Sequence, residues 1–368
     1  MGFDTVFDPH NWAAVPFHFW SLVFFAFGCI VGSFLNVCIY RMPLDLSVVS
    51  PPSHCPHCKY AIPFYLNVPL LTWLSLRGKC KNCGAPISPR YFIVELLTGV
   101  TFLACWLVFG HASPWVALVY CLFLAGLIVA TFIDFEHFII PDEITFGGAA
   151  VGFIISFFLP GLHDAKSVVQ STERSLLGIA IGGGIVYAVL RLGKLLFGRQ
   201  KVKLDGETKI IFTETALCLP GQEIPYEEIF YRKSDTIVLE ARTVELIDRS
   251  YCDVKLRLSP HRLKIGDEEI DPETVPHLEA VCSEVVLPRE AMGLGDVKFM
   301  AAIGAFTGWQ GVVFSLMASS LIGSVVGIAL ILLRKREWSS RMPYGPYIAA
   351  AAVIWIFDGK KLFAVLCQ

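Results

Sequence analysis

The chain has 368 residues, 55% of them hydrophobic and only 17% charged, with a mean hydropathy of +0.60. Soluble domains carry about 25% charged residues, so this balance excludes an ordinary soluble protein and points to a chain that crosses a membrane several times. The formal net charge of −2, with no basic tail, argues against nucleic acid as a partner.

The first apolar stretch, residues 17–40, is too long for a signal-peptide core. It follows Asp4 and Asp8 instead of a basic segment, so it reads as a retained first span. Further apolar stretches at 91–109, 115–133, 144–160, 176–197, 297–308, 312–333 and 344–357 give an all-α polytopic membrane protein of about eight helices. Arg41, Lys59, Arg77, Lys79, Lys81 and Arg90 lie between the first two spans. Arg191, Lys194, Arg199 and Lys201 follow the fifth, and Arg334, Lys335, Arg336 and Arg341 the seventh. The positive-inside rule makes these loops cytoplasmic and the N-terminus external, with Lys360 and Lys361 on the unexpected side.

Five regions follow: an N-terminal segment with the first helix (1–41), a cysteine-bearing loop domain (42–90), helices two to five (91–199), a polar insert (200–288) and helices six to eight (289–368). The insert is rich in β-formers and reads as a small cytoplasmic β domain. Two of its stretches match at an offset of 46 residues, Lys209 over Lys255, Leu217 over Leu263, Glu223 over Glu269 and Ile224 over Ile270. The turn signals Pro220-Gly221 and Gly266-Asp267 also coincide, as in a repeated strand–turn–strand unit.

The loop domain carries "CPHC" at 55–58 and "CKNC" at 80–83. Two such pairs turn four sulfurs to one point, so Cys55, Cys58, Cys80 and Cys83 are expected to hold a closed, structural zinc ion. A redox pair and unliganded thiols are the alternatives. His54 and His57 are adjacent but surplus to a four-thiolate shell. The cysteines within spans, such as Cys29, Cys38, Cys105 and Cys121, read as packing residues.

The third span ends "TFIDFEHFIIPDEIT". Asp134 falls near a helix C-terminus, where the macrodipole disfavours a carboxylate, so it is not a cap and is a functional candidate. Asp142 follows Pro141 and suits an N-cap; Glu136 and His137 read as interfacial. Asp296, in "GLGDVK", opens the sixth span from the same side of the membrane as Asp134, 162 positions away. Two close carboxyls do not both ionise, so one keeps a proton while the other activates a water that attacks a scissile carbonyl. Gly293 and Gly295 clear side chains from beside Asp296, leaving room for an extended substrate. Capping by Asp296 is compatible with this role, and Lys298 either biases the pair or snorkels. The rival reading is a non-enzymatic transporter or assembly scaffold whose aspartates bind ions.

On these residues the chain resembles the type IV prepilin peptidases, the leader peptidase and N-methyltransferase family of G-x-G-D membrane aspartic proteases. The resemblance rests on "GSFLNVCIYRMP" (32–43), the two cysteine pairs, "NVPLLTWLSLRGKC" (67–80), "SPRYFIVELLTG" (88–99), "FIDFEHFIIPDEIT" (132–145), "GLGDVK" (293–298) and "MPYGPYIAAA" (342–351). It implies cleavage of the leader of prepilins or pseudopilins at the cytoplasmic face of the bacterial inner membrane, with Asp134 and Asp296 as the catalytic pair. It also implies methylation of the new N-terminus with S-adenosylmethionine, attributed to the N-terminal half, and it leaves open whether pili, a type II secretion system or competence machinery is served.

Three features depart from the family pattern. The insert separates aspartates that are normally closer in sequence, and it would gate the site, dock a cytoplasmic assembly partner or do nothing catalytic. Leu66 stands where a polar residue is expected, and Phe92 where proline is. A peptidase that has lost methyl transfer is therefore the alternative within the family. Asn36, Arg41, Glu95 and Arg77 are the polar residues of that half whose role is either structural or functional.

Overall fold

The structure is a computed structural model and describes residues 16–197, 199–220, 222–230, 235–246, 248–275, 277–288, 293–333, 342–359 and 361–363. Asp4, Asp8, Gly221, Arg334, Lys335, Arg336, Arg341 and Lys360 lie outside the described residues. Two compact units result: Met1–Tyr187 with Leu294–Gln368, and Ala188–Gly293.

The first unit is helical. Its long helices are α1 (Phe17–Arg41), α2 (Pro89–Phe109), α3 (Pro114–His137), α4 (Asp142–Phe158), the start of α5 (Val168–Phe197), α6 (Leu294–Leu332) and α7 (Gly345–Ile354). Proline marks several starts because its missing N–H is an orphan donor there anyway. Ser88 and Ser113 cap α2 and α3, accepting hydrogen bonds from Arg90 N and Val116 N. Five stretches are long and apolar enough to cross a membrane: Phe17–Leu44, Pro89–Phe109, Pro114–His137, Val168–Leu195 and Leu294–Leu332. The protein is a multi-pass membrane protein. Helix α4 has 17 residues and α7 has 10, short of that length.

Helix α6 contains a break. Its 39 residues include Gly308 at φ 70° and ψ 178°, a conformation that favours glycine. A Cβ placed on Gly304 would lie 2.9 Å from Val312 Cγ2. An unbroken helix would hold those positions about 12 Å apart along its axis, so the chain folds sharply at Gly308. The division expected between 297–308 and 312–333 falls at this glycine. Small residues set the helix spacing elsewhere: a Cβ on Gly28 would meet Gly99 Cα at 2.8 Å, and one on Gly178 would meet Gly304 O at 2.0 Å.

The second unit holds one antiparallel sheet of eight strands, ordered β3-β2-β1-β8-β4-β5-β6-β7. The strands are β1 (Arg199–Thr213), β2 (Ala216–Leu219), β3 (Gln222–Pro225), β4 (Ile237–Glu245), β5 (Ser250–Ser259), β6 (Arg262–Ile265), β7 (Glu268–Ile270) and β8 (His277–Pro288). Pairing in the first three strands recurs in β5, β6 and β7 at the 46-residue offset. Phe212 faces Leu217 and Leu217 faces Ile224, just as Leu258 faces Leu263 and Leu263 faces Ile270. The fourth strands are exchanged: β1 pairs with β8, and β5 with β4. The β4–β8 seam is symmetric about Ala241 and Cys282, with Leu239 facing Val285 on one side and Val244 facing Ala280 on the other. Alternate residues of these strands, among them Ile210, Leu217, Leu239, Leu256, Leu263 and Val285, bury into a single apolar core.

Candidate active site

Helix α3 is apolar along nearly its whole length and delivers Asp134 to its last turn. The helix stops at Phe138, which takes the left-handed conformation (φ 55°) and donates its N–H to Asp134 O at 3.0 Å. The Asp134 side chain is buried, and its Oδ2 accepts a 2.9 Å hydrogen bond from Gly345 N. Gly345 is the first residue of α7, so the carboxylate meets the positive end of a second helix. This compensates for its position at the negative end of its own helix. A Cβ on Gly345 would lie 2.7 Å from Asp134 Oδ2, so only glycine admits the carboxylate this closely.

Asp296 is buried in the first turn of α6, where its charge is favoured by the macrodipole. It is the third residue of the helix rather than the one before it, so it is not the N-cap. Ile140 lies near two glycines, one beside Asp296 in the chain and one bonded to Asp134. A Cβ on Gly295 would lie 3.5 Å from Ile140 Cβ, and one on Gly345 would lie 3.3 Å from Ile140 Cδ1. One side chain thus lies near both the residue beside Asp296 and the residue bonded to Asp134. Both aspartates are buried.

The neighbouring charges are otherwise engaged. Pro141, not Asp142, occupies the N-cap of α4; Asp142 is its first residue and accepts from Lys298 Nζ at 2.7 Å. Lys298 also lies 5.0 Å from the centre of the Phe146 ring. Glu136 pairs with Arg90 at the start of α2, and His137 is exposed.

In the loop domain two knuckles share one backbone design. Cys55 N donates to Tyr60 O at 3.0 Å and Lys59 N to Cys55 O at 2.9 Å; Cys80 N donates to Ala85 O at 2.8 Å and Gly84 N to Cys80 O at 2.9 Å. Lys59 and Gly84 both have positive φ, which turns each knuckle back on itself. The Sγ atoms of Cys55, Cys58, Cys80 and Cys83 lie within 4.8 Å of one another, an arrangement able to hold a metal ion. The Cys55–Cys83 and Cys58–Cys80 sulfur separations are 3.9 and 4.0 Å. The Asn82 amide donates to Cys58 Sγ at 3.5 Å. That bond, with the Tyr60 backbone, pulls the Cys58 thiol down to about 6. His54 turns away, its Nδ1 3.0 Å from Pro52 O.

The polar residues of the N-terminal half divide. Arg41 is structural: its guanidinium donates to Ser47 O at 2.9 Å and Pro51 O at 2.7 Å, tying down the loop after α1. Arg77 is exposed at positive φ. Phe92 packs on Trp73 at 5.2 Å between ring centres, and Leu66 ends a short 3-10 turn. Asn36 and Glu95 are buried in the α1–α2 seam. Glu95 Oε2 accepts from Leu70 N at 2.8 Å. Leu70 is held at φ 59° and ψ −51°, with Leu71 N donating to Pro69 O at 2.6 Å. This tight γ-turn costs about 1–3 kcal/mol and aims the Leu70 N–H at the carboxylate.

Gly345 and Ile140, near the two aspartates, are not marked in the sequence as Asp134, Asp296 and the four cysteines are. A glycine–proline pair opening an apolar helix was the available signal for Gly345; for Ile140 there was none.

Two protein families match the chain. The Bacterial Peptidase A24 N-terminal domain matches residues 26–109, and the Type IV leader peptidase family matches 121–204 and 278–328, leaving out most of the β domain. A "Prepilin leader peptidase/N-methyltransferase" of Myxococcus xanthus is 40% identical over 194 residues, covering 49% of this chain and 57% of that protein. One of Aeromonas hydrophila is 28% identical over 376 residues, covering 95% of this chain and 93% of the relative. A "Type 4 prepilin-like proteins leader peptide-processing enzyme" of Escherichia coli is 42% identical over 191 residues, covering 47% of this chain and 68% of the relative. No solved structure matches the chain.

Proposed function

The chain belongs to the type IV leader peptidase family, and on that footing we propose that it is an aspartic endopeptidase of the bacterial inner membrane. It removes the leader of prepilins or pseudopilins at the cytoplasmic face and N-methylates the new terminus. What supports the cleavage reading is that Asp134 and Asp296 are both buried, that Gly345 N–H fixes the first carboxylate, and that Gly345 and Gly295 both lie near Ile140.

In this reading one aspartate is ionised and takes a proton from a water, while its protonated partner hydrogen-bonds the scissile carbonyl. The water oxygen bonds to the carbonyl carbon, the carbon–nitrogen bond breaks, and a proton passes to the departing amine. Glycine at 345 lets the Asp134 carboxylate approach a helix N-terminus closely, and glycine at 295 keeps the position before Asp296 free of a side chain. The eight-span reading counts α1 to α5, the two halves of α6 either side of Gly308, and α7 with the turn that follows it, α4 and α7 being shorter than the other crossings. The basic residues between α1 and α2, including Lys59, Lys79 and Lys81, support a cytoplasmic loop domain.

The four cysteines suit zinc. Regular tetrahedral zinc–thiolate bonds of 2.3 Å place sulfurs about 3.8 Å apart, close to the separations observed. Zinc there shapes the loop domain, because four thiolates leave no position for a reacting group. S-adenosylmethionine is the methyl donor that the second activity requires, and the buried acceptor groups of the α1–α2 seam suit its cationic character. Incubating the purified full-length protein with a prepilin, with and without S-adenosylmethionine, tests the whole reading. It predicts a shortened product in both, heavier by 14 Da with the methyl donor; an uncut prepilin contradicts it.

A further inference from the structure

Asn36 is almost completely buried, and its amide is oriented by its surroundings. Nδ2 donates to Tyr91 O at 3.0 Å and to Gly32 O at 3.3 Å, whereas Oδ1 has no partner. Exchanging the two atoms would set the oxygen against two carbonyl oxygens, so the orphan acceptor is a property of the site. Such an oxygen in an apolar seam is costly unless something donates to it.

Glu95 lies one helical turn beyond Tyr91, and Gly32 one turn before Asn36. A Cβ on Gly32 would stand 2.7 Å from Glu95 Cα, so the two turns are locked together. The buried Glu95 carboxyl receives the Leu70 N–H and a hydrogen bond from Ser33. Among the described residues no lysine, arginine or histidine forms an ion pair with it. A carboxyl and an orphan amide oxygen, both acceptors, therefore share one narrow seam. Carboxylates inside membrane segments are retained where they meet a cation. This seam lies in the region matched by the N-terminal domain, whereas both aspartates lie in the separate leader-peptidase match.

We propose that the Asn36–Glu95 seam is the subsite that receives the positively charged reactant of methyl transfer. The inference rests on the methyltransferase reading above and assigns it a place. The reactant is either the α-ammonium of the newly cut chain or the cationic end of S-adenosylmethionine. Both offer a positive group to acceptors alone. For transfer, the amine first gives up a proton. Its nitrogen then bonds the methyl carbon as the carbon–sulfur bond breaks, the electron pair staying on sulfur, and the nitrogen finally sheds a second proton.

The test compares the full-length protein in detergent with its Glu95→Gln and Asn36→Ser variants. Three quantities are read: calorimetric affinity for S-adenosylmethionine, KM of a pre-cut peptide in methylation, and cleavage of an uncut prepilin. The proposal expects cleavage to continue. A tenfold or greater loss of S-adenosylmethionine affinity assigns the seam to the methyl donor; unchanged affinity with a tenfold or greater rise in peptide KM assigns it to the amine. If cleavage is also lost in Glu95→Gln, Asn36→Ser decides by the same two readings. Variants that bind and methylate like the parent overturn the proposal alone. A parent protein that cleaves but neither binds S-adenosylmethionine nor methylates overturns the proposal together with the methyltransferase reading.

Discussion

Asp134 Oδ2 and Gly345 N are joined by a 2.9 Å hydrogen bond across 211 positions of sequence. The bond turns a helix C-terminus, a poor place for a carboxylate, into a place where one is held. A side chain on Gly345 would intrude to 2.7 Å from that oxygen. Gly345→Ala should displace Asp134 and remove a hydrogen bond to a charged group, worth about 1.5–3 kcal/mol. Expected is a fall of roughly 10- to 100-fold in kcat/KM for prepilin cleavage, with protein level and metal content unchanged. A variant as active as the parent would show that this contact does not position the reacting carboxyl.

The Lys298–Asp142 pair is half-exposed and belongs to the class of surface ion pairs worth about 0–1 kcal/mol. Asp142→Ala is therefore expected to leave cleavage within about threefold of the parent and thermal stability nearly unchanged. Loss of cleavage on the scale of an Asp134 substitution would move Asp142 into the reacting pair.

Much of this was legible from side-chain identity. Two aspartates at the expected ends of apolar stretches, two pairs of cysteines and an offset of 46 residues are all patterns of residue type. The contribution of Gly345 is a backbone N–H, which every residue but proline possesses, so its role emerges only when α7 is set against α3. Ile140 looks like any apolar residue near an interface. The exchange of β4 and β8 was hidden for another reason: the repeat is carried by the first three strands of each copy, and pairing of the fourth is a long-range choice. The strain at Leu70 is invisible in a leucine.

Arg199 and Pro288 face each other at the outer end of the β1–β8 pair, so the β domain leaves and re-enters at neighbouring points. A short linker replacing 199–288 should thus be sterically possible. Prepilin cleavage by that variant is expected to stay within a few-fold of the parent; abolished cleavage in a stable, membrane-inserted protein would show that the domain takes part. Expressed alone, residues 199–288 should unfold cooperatively. Leu256→Ala, at a fully buried core position, should cost about 2–5 kcal/mol in denaturant titration.

The cysteine cluster should copurify with one zinc per chain and give a tetrahedral thiolate spectrum with cobalt. Cys80→Ser should lose the metal and leave the 42–90 region open to protease. Cys58 is depressed to about 6, chiefly by Asn82. Its ionised form is thus favoured above the ordinary thiol value of 9.0 and throughout the interval down to about 6, and is lost below. A hydrogen bond with the Ala85 backbone pulls the Cys83 thiol down, but desolvation and the neighbouring sulfurs hold it up at about 11, so it gives up its proton only to the metal. Metal-stripped protein should reload zinc progressively worse as the pH falls through about 6, where Cys58 takes up its proton. Undiminished loading well below that pH would contradict the thiolate assignment.

The most direct measurement is prepilin processing by Asp134→Asn and Asp296→Asn, each in membranes, with mass spectrometry on the product. Asparagine keeps the shape of each side chain and removes only its ability to ionise and carry the proton. The account predicts that both variants accumulate uncut prepilin while their zinc content and abundance match the parent. Cleavage at the parent rate by either variant would contradict the pair of aspartates as the reacting groups.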